Sequence, residues 1–247
     1  MQDLNITIQQ DSDNYTENSS SVGVTVSTTG ITGSASKGDT DSTDASVTDQ
    51  SGIYAGTGGF DITVSGNTDL TGAVISSTAD ASKNTLITGT LTYSDIENTA
   101  EYSSGSVGVS VNTTSSAEYN EKGVTPNIGV TATGADSSTT KSAVADGTIE
   151  VKSGDTDLSS LSRDTDSAVN ALGKIFDKKT VQEQQEMAKL FGEEAYKAIG
   201  DLALSSGWVE GGTEKTALDT LVGGIMSKLG GGSFASWAAS AGFNELV

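Results

Sequence analysis

From Phe60 to Ser65 apolar and polar residues alternate, with Phe60, Ile62 and Val64 set against Asp61, Thr63 and Ser65. A period of two is that of a strand with one buried face. Gly66-Asn67 then predicts a turn. The same alternation recurs at Leu4-Ile6-Ile8, Val22-Val24-Val26, Val107-Val109-Val111, Ile128-Val130 and Ile149-Val151, which predicts short strands from Leu4 to Val151. Two echoes run through this region. Leu70-Thr71-Gly72-Ala73-Val74 is answered by Ile87-Thr88-Gly89-Thr90-Leu91 and anticipated by Ile31-Thr32-Gly33, while Ser21-Val22-Gly23-Val24-Thr25-Val26 returns as Ser106-Val107-Gly108-Val109-Ser110-Val111. Repeated short strands separated by Gly, Ser, Thr and Asn predict a parallel β-solenoid in preference to an immunoglobulin-like sandwich. One coil alone cannot bury its inward side chains, whereas stacked coils enclose a continuous narrow core. At roughly 20 to 25 residues per coil the region makes about six or seven coils, a rod around 30 Å long. The polar runs Asp39 to Asp44 and Gly134 to Thr140 are expected as protruding loops.

The period changes after Asp157. Ala168, Val169, Leu172, Ile175 and Phe176 fall at helical spacing and predict a first helix. Thr180-Val181-Gln182-Glu183 reads as a capping box opening a second, whose apolar stripe is Met187, Leu190, Phe191, Ala195, Ala198, Ile199 and Leu202. A third follows Thr213, with Leu218, Leu221, Val222, Ile225, Met226 and Leu229 as its stripe and Gly230 as its stop. Ser233 to Ala241 predicts a short fourth helix anchored by Phe234 and Trp237. The stripes at Leu190/Ile199 and Leu221/Ile225 are expected to pack on the last coil.

Charge narrows the function. The chain of 247 residues carries a formal net charge of −20, of which −16 lies before residue 161. Arg163 is the sole arginine, so clustered basic side chains for phosphate are missing, and the acidity disfavours nucleic acid and anionic bilayers as direct partners. With no His and no Cys, neither a Ser-His-Asp nor a Cys-His arrangement can be built, nor a zinc site with imidazole or thiolate ligands. The start, Met1-Gln2-Asp3-Leu4-Asn5, has neither the basic residues nor the apolar run of a signal peptide.

What remains for chemistry is carboxylates, hydroxyls and lysine. Asp39/Asp41 and Asp155/Asp157 are the candidate pairs for a glycan-cleaving or calcium-binding β-helix, although Asp among Ser and Thr is ordinary turn chemistry. Gly56-Thr57-Gly58-Gly59-Phe60-Asp61 lacks the spacing of a calcium nonapeptide and the lysine of a phosphate loop, and is expected as a tight turn. Leu229 to Asn244 lacks charge, yet it is shorter than the roughly 20 apolar residues of a membrane span and is rich in Gly, Ser and Ala, so a packed helical hairpin is expected. No catalytic, cofactor-binding or metal-ligating residue is therefore assigned, and no enzyme activity or cofactor is expected.

Several stretches carry a family likeness. Gly56 to Phe60, Leu70 to Ser77 and Thr90 to Asn98 resemble the repeat region of filamentous-haemagglutinin, two-partner-secreted exoproteins. Lys174 to Lys178, Val181 to Glu186, Phe191 to Tyr196 and Val222 to Ser233 resemble the helical segment that follows the second haemagglutinin-repeat region in contact-dependent growth inhibition exoproteins. Residues 1–50 match in texture alone. The family's Val-Glu-Asn-Asn pretoxin motif is not reached, since the sequence given runs to Asn244-Glu245-Leu246-Val247.

The resemblance implies a mainly β chain with a C-terminal α unit: a right-handed parallel β-helix over residues 1–157, then a small helical bundle forming a pretoxin-proximal domain over residues 158–247. It also implies a non-catalytic segment of a protein secreted to the surface of a Gram-negative bacterium, periplasmic in transit. Its partners would be an outer-membrane secretion partner, a downstream toxin domain and the target cell's outer membrane or a component of it. The rival expectation is an adhesin binding a cell-surface glycan or protein through a groove lined by Tyr54, Tyr93, Tyr102 or Tyr119.

Overall fold

The computed structural model describes residues 1–114, 123–128, 131–209 and 212–231. The chain is mainly β, with two helices towards its C-terminal side. Its strands are β1 Leu4–Thr7, β2 Asp11–Ser27, β3 Gly30–Ser46, β4 Gly52–Ala55, β5 Phe60–Thr71, β6 Val74–Ser77, β7 Asn84–Ser94, β8 Ile96–Asn112, β9 Gly123–Ile128, β10 Ala132–Thr140, β11 Ala143–Val144 and β12 Thr148–Val151. The helices are α1 Lys178–Ser206 and α2 Thr213–Leu229. Two compact units share the chain, each built from separate stretches: Met1–Asp13, Thr43–Ala100 and Ala135–Lys174 make the first, and Asn14–Ser42, Glu101–Gly134 and Ile175–Val247 the second.

The first unit is held by two parallel ladders. One runs β1-β5-β7-β12 and the other β4-β6-β11, so strands stack in the order in which they occur in sequence. Register places like on like: Ile62 pairs with Leu86 and Leu86 with Ile149, Ile6 pairs with Leu70 and Leu70 with Tyr93, and Ile53 pairs with Ile75 and Ile75 with Val144. These columns form the main core, in which Leu70, Ile75 and Leu86 are fully buried. Each such side chain contributes roughly 1.5 to 3 kcal/mol by leaving water. Hydroxyls stack in the same way, for Thr68 donates to Thr88 at 2.9 Å where both are buried. Gly59, at φ 78°, turns the chain into β5 where a Cβ would stand 2.3 Å from the Lys83 carbonyl oxygen. The tight turn expected at Gly56 to Gly59 is present, with the Gly59 N–H donating to the Gly56 carbonyl.

The second unit combines antiparallel strands with the helices. The sheet order is β10-β8-β3-β2, and β9 pairs antiparallel with β8. Phe176 and Val181 pack with Ala132, Tyr15 and Tyr102, the Phe176 ring lying 5.5 Å from that of Tyr15 and 5.6 Å from that of Tyr102. The helices pair through Ala188, Ile199, Val222 and Met226. Gly192 receives the Met226 thioether, which a Cβ there would meet at 2.3 Å.

Several expectations from the sequence change. Gly66-Asn67 does not turn the chain, because β5 continues to Thr71 with a register shift between Val64 and Asn67. The echo of Leu70–Val74 in Ile87–Leu91 is not the stacking register, since Leu70 pairs with Tyr93. Asp39 to Asp44 lies within β3 and Gly134 to Thr140 within β10. Hydroxyls explain both: Thr40 and Ser104 share a 2.7 Å hydrogen bond, and the buried Asn98 amide donates to Ser138 and Thr140. No helix forms at Ala168 to Phe176. There the backbone serves the strands, with Ala168 accepting from the Lys141 N–H, Asn170 from the Asn98 amide, and Leu172 N–H donating to Ser46. Helix α1 begins at Lys178, capped by Asp177 accepting the Thr180 N–H at 2.8 Å, so Thr180–Glu183, expected to open the helix as a capping box, falls within it at the third to sixth residues. The third helix stands as expected from Thr213 to Leu229, followed by Gly230. Ser233 to Ala241, the charge-poor stretch beyond Gly231, Val130 and Tyr119 lie outside the described residues.

Candidate functional site

The most distinctive surface is an amphipathic antiparallel sheet in the second unit. Hydrogen bonds fix its register: Ser21 and Ser36 share one at 2.7 Å, Ser19 donates to the Gly38 carbonyl, and the Thr113 N–H donates to the Ile31 carbonyl at 2.8 Å. Counting along the strands from these pairs sets Val22, Val24 and Val26 beside Ala35, Gly33 and Ile31, which in turn sit beside Val109, Val111 and Thr113. In backbone register β9 runs beside β8, with Val107 opposite Ile128, Val109 opposite Pro126 and Val111 opposite Val124. Since paired residues project to the same side of a sheet, one face is Val, Ile, Ala and Gly. The other is Ser21, Gly23, Thr25 and Ser27 with Thr32, Ser34 and Ser36, then Ser106, Gly108, Ser110 and Asn112.

The apolar face is open. Val22, Val24 and Val26 are 80%, 68% and 73% exposed, Val107 is 58%, and Ile31 and Val109 are also exposed. These valines were expected inside a solenoid; alternation has no sign, and here the row belongs to a sheet with no second layer over it among the described residues. No charged residue occurs from Asn18 to Ser36 or from Tyr102 to Thr114, and Lys37 stands at the margin of the face. Strand β2 ends the sheet order, and from Asn18 to Ser27 it is exposed on both sides.

A second exposed apolar set lies on the helices. Met187, Leu190, Phe191 and Leu202 on α1 and Leu221 and Ile225 on α2 are exposed, whereas the expected stripe is buried at Ile199, Val222 and Met226. The helix pair uses small residues, Ala188 and Gly192, for its seam, so the bulkier neighbours are left outside.

The candidate acids do not assemble into a catalytic centre. Asp39 and Asp41 point from the same side of β3 and are exposed. Asp155 accepts the Asp157 N–H at 2.9 Å and Asp157 accepts the Ser159 N–H at 3.0 Å, successive Asx turns in an exposed loop. Hydrogen bonds from the Ser159 hydroxyl and then its backbone hold the Asp157 carboxyl below its usual range. Among the described residues no three acidic side chains converge as metal ligands. The tyrosines are engaged locally: Tyr54 donates to the Gln50 carbonyl, Tyr93 shares a hydrogen bond with Ser160, and Tyr102 packs on Phe176. Arg163 clamps the turn after β11, donating to the Ala145 and Gly147 carbonyls at 2.9 and 3.1 Å and pairing with Asp146. Among the described residues no helix is long and apolar enough to cross a membrane.

No family model and no solved structure matches this chain. Curated proteins do. A tRNA nuclease CdiA of Burkholderia pseudomallei is 39% identical over 260 residues, covering 86% of this chain and 20% of the relative. A 16S rRNA endonuclease CdiA of Enterobacter cloacae is 36% identical over 214 residues, covering 82% and 6%. A deoxyribonuclease CdiA of Dickeya dadantii is 38% identical over 209 residues, covering 77% and 6%. The chain thus spans a fifth or less of the length of these relatives. It is a mainly β, repeat-bearing region of the kind found within very long exoproteins. It belongs to the CdiA type, the exoproteins of contact-dependent growth inhibition.

Proposed function

We propose that this chain is a non-catalytic delivery segment of a secreted exoprotein, helping a toxin carried downstream to cross the outer membrane of a target cell. The observation that supports this is the mismatch between similarity and activity among its relatives. Proteins named for cutting tRNA, 16S rRNA and DNA all match this one stretch at 36–39% identity, so the stretch is shared by relatives whose named chemistry differs. The residues agree in kind, because the acids are scattered and a charge of −20 repels nucleic acid.

In this reading the parallel ladders are coils of a β-helix, and the in-sequence stacking order of β1-β5-β7-β12 and β4-β6-β11 supports it. The functional boundary falls near Asp157, with a rod over residues 1–157 and a helical pretoxin-proximal domain over 158–247. The protein acts at the bacterial surface after export through an outer-membrane partner.

The test uses the full-length exoprotein with the region corresponding to residues 1–247 deleted, scoring surface display, attachment to target cells and toxin-dependent growth arrest separately. Display and attachment kept with growth arrest lost is the expected result. Loss of attachment would make the segment an adhesin, and unchanged growth arrest would overturn the delivery role.

A further inference from the structure

We propose that the open apolar flank of the α1–α2 pair is the docking site of Ser233–Ala241 of this same chain, which lies along it as a third packed helix. The proposal is independent of the delivery reading. The two helices run antiparallel, since Gly192 meets Met226 and the Tyr196 hydroxyl donates to the Asp219 carbonyl at 3.4 Å. At about 3.6 residues per turn, Met187, Phe191, Ala198 and Leu202 form a stripe beside the seam residues Ala188, Ala195 and Ile199 of α1. Leu221 and Ile225 form another beside Leu218, Val222 and Met226 of α2. Each stripe is displaced from its seam in the same rotational sense. In an antiparallel pair equal displacements face the same side, so the two stripes line one groove, and every one of these side chains is exposed. An apolar groove left in water carries a cost proportional to its area.

The exit of the chain from α2 decides the occupant. Helix α2 ends at Leu229, and Gly231, at φ 90°, stands against the Gln184 side chain, where a Cβ would meet Oε1 at 3.3 Å. Gln184 precedes Phe191 by about two turns on the same stripe, so the chain is delivered to the head of the groove. Gly230-Gly231-Gly232 has the length of the short connections that join neighbouring antiparallel helices. Within Ser233–Ala241, Phe234, Trp237, Ala238 and Ala241 stand at i, i+3, i+4 and i+7 and make one apolar face, with Ser236 and Ser240 opposite and no charge anywhere. As a helix the segment runs about 14 Å, and the stripe from Met187 to Leu202 about 22 Å, so the groove accommodates it. A second copy is poorly matched, because a stable dimer draws on roughly 20 to 30 residues a side, far more than this flank provides.

The experiment is fluorescence of the full chain carrying Trp208→Phe, which leaves Trp237 as its sole tryptophan. Trp237 is expected to emit at short wavelength and to resist quenching by acrylamide. Phe191→Asp and Ile225→Asp, on the two walls of the groove, are expected to raise that quenching several-fold, towards the value of free tryptophan. Leu190→Asp places the same charge on an exposed residue of α1 that faces away from the groove, and is expected to leave the quenching unchanged. Because the chain has no cysteine, a second measurement works without an added charge in the groove. Phe191→Cys combined with Ala238→Cys is expected to be joined within one chain by a short bis-maleimide, and Leu190→Cys combined with Ala238→Cys is not. Quenching of Trp237 like that of free tryptophan in the unaltered groove would overturn the proposal, as would equal effects of Phe191→Asp and Leu190→Asp. So would cross-links that form between chains alone, which assign the groove to a second copy. None of these outcomes bears on growth arrest after deletion of the segment, so the delivery reading stands or falls separately.

Discussion

Asn98 shows what a polar side chain does in this core. It is fully buried; its amide donates to Ser138, Thr140 and the Asn170 carbonyl, and its oxygen accepts the Val47 N–H at 2.9 Å and the Gln10 amide. Removing it takes the acceptor from the buried Val47 N–H and the donor from the buried Thr140 hydroxyl, and each orphan costs about 1 to 3 kcal/mol. Asn98→Ala is expected to destabilise the first unit by about 2 to 4 kcal/mol in urea unfolding, and Asn98→Leu to do no better despite its volume. The sequence places this residue at the end of the Thr90–Asn98 likeness, but no apolar period marks it as buried, for it sits between Glu97 and Thr99 as polar text. The valines at 22 to 26 were conspicuous in the sequence, yet their direction was not, for a strand's period tells which residues share a side and not which side is wet.

At the level of elements, the alternating apolar runs at Leu4-Ile6, Val22-Val26, Phe60-Val64, Val107-Val111 and Ile149-Val151 are strands, while the polar strands β3 and β10 gave no such signal. Their stability lies in hydroxyl pairs between strands that are distant in sequence, such as Thr40 with Ser104, and local pattern carries no record of these. The Ala168 to Phe176 segment failed in the opposite sense: helical spacing was present, but Gly173 and the demand of the strands for its carbonyls prevailed. Helix α1 is started by two devices. Asp177 caps it, and Asp177→Ala is expected to cost about 1 kcal/mol, measured by thermal unfolding. One residue on, Lys178 pairs with Glu17 at 2.9 Å and lies over the Tyr15 ring. Hydrogen bonds from Tyr15 and then Lys178 hold the Glu17 carboxyl below its ordinary value of 4.5. A lowered folded pKa means that the pair's contribution is complete above about 4.5 and is lost as pH falls through the lower folded value. The Lys178 ammonium is raised above 10.5 by Tyr15 and then Glu17, so its contribution is lost only as pH climbs through that raised value. Acid titration followed by amide exchange at Thr180 and Val181 is therefore expected to show added fraying of this end as pH falls below 4.5, whereas Glu17→Gln, which lacks the ion pair at every pH, is frayed more than the unaltered chain at neutral pH and loses that part of the pH dependence.

For the whole molecule, class was legible and arrangement was not. Repeated short strands indicated a mainly β chain, and parallel ladders stack the columns Ile62/Leu86/Ile149 and Ile53/Ile75/Val144 in the main core. The antiparallel β2-β3 and β8-β9 pairs were hidden because antiparallel and parallel strands share one period. The order β1-β5-β7-β12 has a mechanical consequence. Its first and last members are also first and last in sequence, so tension applied between Leu4 and Val151 loads the rungs in series and peels them singly. Optical-tweezer extension of this unit is expected to give several small yielding steps in place of one high-force rupture. Such a module is a soft spring, readily drawn out as thread.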